Sequence, residues 1–97
     1  MKTIILSNGK KLSTYRIKKW SNMTDENYHN RVRMEIAEFF NDLPTAKKLL
    51  DFCKKAENIQ SLSYMAWEKR HKLTTKLLDE VEKKYGNQAA VMVWQAL

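Results

Sequence analysis

Residues 1–22 read MKTIILSNGKKLSTYRIKKWSN, and the architecture turns on whether this stretch folds back on itself. Residues 3–6 (TIIL) are a short β-branched and apolar run. Asn8-Gly9 follows, and both residues tolerate the positive φ that a tight hairpin turn needs. Over residues 11–17, Lys11, Ser13, Tyr15 and Ile17 fall on one side and Leu12, Thr14 and Arg16 on the other, the period of a strand. The stretch predicts a β-hairpin over residues 1–20. Two registers are open. A two-residue loop pairs Ile5 with Leu12, and a three-residue loop with a bulge pairs Ile4 with Leu12. A lone hairpin is marginal in water, so this one is expected to dock on the rest of the domain or on a partner.

The same stretch holds Lys2, Lys10, Lys11, Arg16, Lys18 and Lys19 and no acidic residue, a formal charge of +6. The other 75 residues carry 12 basic and 11 acidic side chains, or +1, so nearly all of the net +7 sits at one end of the chain. Cations neutralise phosphates and release counterions, and aromatics offer unpaired bases a stacking surface. The candidate binding residues are therefore Lys10, Lys11, Tyr15, Arg16, Lys18, Lys19 and Trp20, for nucleic acid or an acidic partner surface. The competing reading is a solvated strand pair whose lysines discourage edge-to-edge aggregation.

Beyond the hairpin the pattern is helical. Thr24 can cap a helix whose first turn carries Asp25 and Glu26. Its stripe is Tyr28, Val32, Ile36, Phe39, Phe40 and Leu43, with Arg31, Arg33, Glu38 and Asn41 expected to face away. Arg31 and Arg33 could extend the positive surface, or be solvated residues balanced by Glu35 and Glu38. Pro44 ends this helix and suits the start of the next, which runs to about residue 57 and buries Ala46, Leu49, Leu50, Cys53 and Ala56. Ser61 or Ser63 then caps the longest helix, to Tyr85, with a stripe of Leu62, Ala66, Leu73, Leu77 and Val81 widened by Trp67, Leu78 and Tyr85. Lys69, Arg70, His71, Lys72 and Lys76 read as a solvated basic face. Gly86 suits a left-handed cap. The last helix, residues 88–97, is apolar almost all round and is expected to be buried or to meet another chain. Val91, Met92, Trp94 and Leu97 are its candidate interface residues, in a homodimer or a partner contact.

A chain of 97 residues with 43% apolar and 30% charged residues has room for one core and the composition of a globular domain. The expected class is α+β, mainly α: a single domain over residues 1–97, with a hairpin (1–20) followed by four helices packed as a small bundle (24–97). The single cysteine excludes an intrachain disulfide and four-cysteine zinc sites. No apolar run approaches a membrane span, and residues 4–6 are too short for a signal peptide; a cytoplasmic protein with no membrane partner is expected. His29, His71 and Cys53 offer no metal-ligand spacing. There is no phosphate loop, paired-carboxylate spacing or nucleophile elbow. No catalytic residue, metal, cofactor or small-molecule substrate is expected, and the chain reads as a binding protein rather than an enzyme.

The opening TIILSNGKKL followed by helices resembles the layout of small phage tail-assembly chaperones over the first fifth of the chain. That layout does not account for so basic a hairpin, and no residue role is carried over from it. Two functions are expected from the residues. In the first, the hairpin meets nucleic-acid backbone or a nucleic-acid-handling machine. In the second, the chain is an interaction protein of phage or mobile-element type: an inhibitor of a host defence nuclease such as a CRISPR effector, or an assembly chaperone.

Overall fold

The computed structural model describes residues 3–13, 23–56 and 63–97. The architecture is α+β and mainly α: a two-stranded antiparallel hairpin, then four helices. The strands are β1 (Thr3–Ile5) and β2 (Lys11–Ser13), and the helices are α1 (Asp25–Phe39), α2 (Pro44–Ala56), α3 (Tyr64–Tyr85) and α4 (Asn87–Ala96). α1 packs on α2, α2 on α3, and α3 on α4.

Of the two registers, the observed pairing is Ile4 with Leu12. The Leu6 N–H donates to Lys10 O at 2.8 Å and the Gly9 N–H to Leu6 O at 2.9 Å, enclosing a three-residue loop. Gly9 closes it at φ +85°, the left-handed position of a bulged turn. The choice puts Ile4, Leu6 and Leu12 on the helix-facing side; Leu6 and Leu12 are buried, whereas Ile5 is 70% exposed.

The hairpin tip is docked rather than projecting. Ser7 Oγ donates to Lys84 O at 3.4 Å and Asn8 Nδ2 to Tyr85 Oη at 3.1 Å. Lys10 Nζ donates to Phe39 O at 3.0 Å and sits over the Phe39 ring, so this cation closes the C-terminal end of α1. Behind the tip, Tyr85 Oη donates to Asp42 Oδ2, and Lys84 Nζ reaches the same oxygen at 2.7 Å.

Local signals place the helix ends. Thr24 Oγ1 accepts from the Asn27 N–H at 3.2 Å, and Ser63 Oγ from the Ala66 N–H at 3.2 Å, the N-caps that short polar residues supply. The N-terminus of α2 is satisfied from a distance in sequence: Glu80 on α3 accepts from Thr45 Oγ1 at 2.6 Å and from the Thr45 N–H at 3.4 Å. Gly86 alone joins α3 to α4, donating to Glu82 O at 3.0 Å and accepting from the Ala90 N–H at 3.3 Å. Its φ of +98° and ψ of 167° lie outside the left-handed helical cap expected there, in a region only glycine occupies readily.

The core joins Leu12, Val32, Ile36, Phe40, Leu49, Leu77, Val81 and Val93. α4 divides by its helical period: Ala89, Ala90, Met92 and Val93 are buried, while Val91 and Trp94 are 42% and 67% exposed. Met92, expected at an interface, is thus a core residue, one position off the outward face. Leu97 is partly buried against the core.

Two measurements test these joints. Gly86→Ala meets no atom within 4 Å, so its cost is backbone strain alone, on the order of 1–3 kcal/mol by urea unfolding. Asp42 is held below the usual carboxylate range, first by the Lys84 hydrogen bond and then by Tyr85. Burial, then the Asp42 bond, pushes the Tyr85 phenol up to about 12. A lowered carboxyl stabilises the fold above its unfolded value, near pH 4, and that contribution disappears as pH falls through the lowered value. Asp42→Asn should therefore cost about 0.5–1 kcal/mol at pH 7, a cost that vanishes as pH falls through the lowered Asp42 value, and the Tyr85 ring signal should titrate lower in the variant.

Candidate nucleic-acid surface and interhelical groove

Two features of the helical body stand apart from ordinary packing, and both involve α3. The first is on its outer face. Ser63 starts α3 so that residues 64, 67 and 71 follow at helical spacing along one flank. The Tyr64 and Trp67 rings stack with centroids 6.3 Å apart, and Trp67 and His71 stack at 5.4 Å with only 4° between planes. Tyr64 is 74% and Trp67 44% exposed. Lys69, Lys72 and Lys76 border a furrow that meets this column at His71. Lys72 pairs with Glu68 at 3.4 Å and Lys69 lies over the Phe52 ring of α2. Met65, Lys69, His71, Lys72 and Lys76 border a furrow of about 570 Å³ whose lining comes from α3 alone. A single convex helix cannot enclose a ligand, so this is an open platform, suited to something that lies along it.

The second feature lies beneath. Arg70, expected on a solvated face, is buried, and its Nη1 donates to Asn30 Oδ1 at 2.8 Å. Arg33, expected to face away from the body, is partly buried, and its Nε and Nη1 are enclosed without a hydrogen-bond partner. The cause is a second buried face on α1. Besides the expected Val32 and Ile36, the helix buries Asn30, Met34 and Ala37, because it is packed on more than one side. Burial, and then repulsion from Arg70, bring the Arg33 guanidinium down to about 10, so it remains a cation at neutral pH. Arg70 is lowered too, mainly by burial.

Arg33 opens into a groove of about 540 Å³ between α3 and α4, lined also by His71, Thr74, Leu78, Trp94 and Leu97. A shallower continuation of about 210 Å³ runs past Leu78 and Trp94 to Val91 and Glu82. Three of the four residues expected at an interface, Val91, Trp94 and Leu97, border this groove; Met92 does not.

Cys53 is buried, and burial pushes its thiol up to about 11 against the opposing pull of Arg33 and Arg70. The thiolate, the reactive form, is therefore scarce near neutral pH. Among the described residues, no group of three or more His, Cys, Asp or Glu could hold a metal, and no helix is long and apolar enough to cross a membrane.

Of the hairpin site, Lys10 engages the end of α1 and Lys11 is exposed on β2. Tyr15, Arg16, Lys18, Lys19 and Trp20 lie outside the described residues. Arg31 is partly buried on α1, two positions before the groove's Arg33. Sequence reasoning missed the Tyr64–Trp67–His71 column, although the 3- and 4-residue spacing of aromatics beside lysines was there to be read.

Asn30→Ala should leave the buried Arg70 guanidinium short of an acceptor and cost about 1–3 kcal/mol in urea unfolding. Replacing both partners with apolar residues (Asn30→Leu with Arg70→Met) should recover most of that loss, because the buried charge goes with its acceptor. Compared with protein-family models, curated proteins and solved structures, the chain matches none.

Proposed function

We propose that this is a small basic binding protein without enzymatic activity, which contacts single-stranded nucleic acid through stacking and phosphate neutralisation. The observation that carries the reading is the exposed Tyr64–Trp67–His71 column, whose last ring, His71, borders one furrow with Lys69, Lys72 and Lys76. Nonspecific single-strand binders combine these same two components, a cationic track for the backbone and aromatic faces for the bases. The basic flank of the hairpin, with Arg16, Lys18 and Lys19, adds cations to the same chain. Lys10, tied to the end of α1, contributes less than its place in the sequence suggests. The net charge of +7 favours encounter with any polyanion.

A second reading is an interaction protein that docks on another protein, as an inhibitor or an assembly chaperone would. The exposed Trp94 and Val91 beside the α3–α4 groove favour it.

Labelled 15-nucleotide DNA and RNA strands, titrated over a salt series, test the first reading. Affinity should fall with salt by about 0.7 log units per log unit for each neutralised phosphate. Tyr64→Ala with Trp67→Ala should weaken binding by about tenfold or more at constant slope, since each stacked base contributes about 1–3 kcal/mol. Lys69, Lys72 and Lys76 changed to Gln should flatten the slope by about 2. Binding that ignores salt, or that survives the aromatic substitutions unaltered, would remove the proposal.

A further inference from the structure

The α3–α4 groove is chemically polar along its length. One end holds Arg33, with two enclosed guanidinium nitrogens lacking acceptors, and His71. The middle is apolar: Leu78, Trp94 and Val91. The far end holds Glu82. His71 and Glu82 are 11 positions apart on one helix, about 16 Å at the helical rise.

Arg33 is a cationic residue on the groove wall, and a carboxylate is the group complementary to it. The apolar middle calls for bulky apolar side chains, and the exposure of Trp94 and Val91 leaves the groove open along one side. Both walls are α-helices, whose backbone groups are paired internally. An extended peptide laid between them would leave its own N–H and C=O groups unpaired, whereas a helix satisfies its backbone itself. A second copy of this chain presenting its own α4 does not fit, since residues 87–96 contain no carboxylate side chain.

We propose that the α3–α4 groove seats an amphipathic helix of a partner protein, roughly three turns long, whose apolar stripe carries a carboxylate at the Arg33 end and a cation at the Glu82 end. This rests on the protein-docking reading and is independent of the nucleic-acid one. The guanidinium supplies direction, since the same helix laid in reverse would set its cation against Arg33 and its carboxylate against Glu82. Trp94 and Val91 supply the contact area.

The test is selection from a phage-displayed library of random 14-residue peptides against the full chain, read by sequencing and by NMR shifts of the Arg33 Nε–H and the Trp94 indole. The expected winners carry Asp or Glu at one end of a stripe of Leu, Phe or Trp at three- and four-residue spacing. They should shift both reporter signals and lose about tenfold or more in affinity to Arg33→Gln, and comparably to Trp94→Ala. Arg33→Lys, which keeps the charge, should bind better than Arg33→Gln and guards against a folding defect. Neither Arg33→Gln nor Trp94→Ala should alter oligonucleotide binding, so failure of this proposal is distinguishable from failure of the nucleic-acid reading. Selection of no peptide, winners without acidic preference, or equal binding by Arg33→Gln would overturn it. So would self-association abolished by Trp94→Ala, which would assign the groove to a homodimer instead.

Discussion

Arg70 can lie inside this small body because Asn30 on α1 offers it an acceptor at 2.8 Å. Removing that acceptor would leave the buried charge short of a partner, at a cost of about 1–3 kcal/mol. The bond ties α1 to α3 across the body. It also brings a second cation, Arg33, close enough to feel the first. The neighbouring Arg33 keeps two enclosed nitrogens without an acceptor among the described residues, and the residue borders the groove beside α4.

The hairpin is held by a different set of polar contacts at the far end of α3. Asp42, Lys84, Tyr85 and Asn8 form one connected cluster that ties the α1–α2 turn, the end of α3 and the hairpin tip together. Leu6 and Leu12 supply the apolar half of that docking. A two-stranded ribbon this short has no stability of its own, so its position depends on these contacts. Using Lys10 to close α1 converts part of an apparent electrostatic patch into a structural strap.

Much of the architecture was legible in residue patterns. The hairpin, the Thr24 cap, Pro44 at the start of α2, the Gly86 break and the stripe of α2 all follow from local rules of turn chemistry and periodicity. The hairpin register was narrowed to two and settled by the helices, since pairing Ile4 with Leu12 brings Leu12 to the core. The charged residues of α1 and α3 were not legible. Arg33 and Arg70 look like any solvated arginines at their positions, because a one-dimensional pattern records the residue and not what packs over it. Met92 was misjudged for the related reason that an almost wholly apolar helix has no visible polar face. With principal extents of 36, 27 and 16 Å, the body is too thin to cover α4 on every side, and Trp94 is left outside.

By itself, the sequence determined the order and type of the elements and the concentration of positive charge in the first 22 residues, because these depend on short-range backbone preferences and on counting. Only the tertiary structure decided which cations remain available to a ligand. Lys10 and Arg70 are engaged by Phe39 and Asn30, two Arg33 nitrogens are enclosed without acceptors among the described residues, and Lys69, Lys72 and Lys76 border a furrow with His71. The physical reason is that desolvation and hydrogen bonding act through space. Whether a charge is an anchor, a strap or a binding group depends on neighbours as far as 42 residues away in the chain.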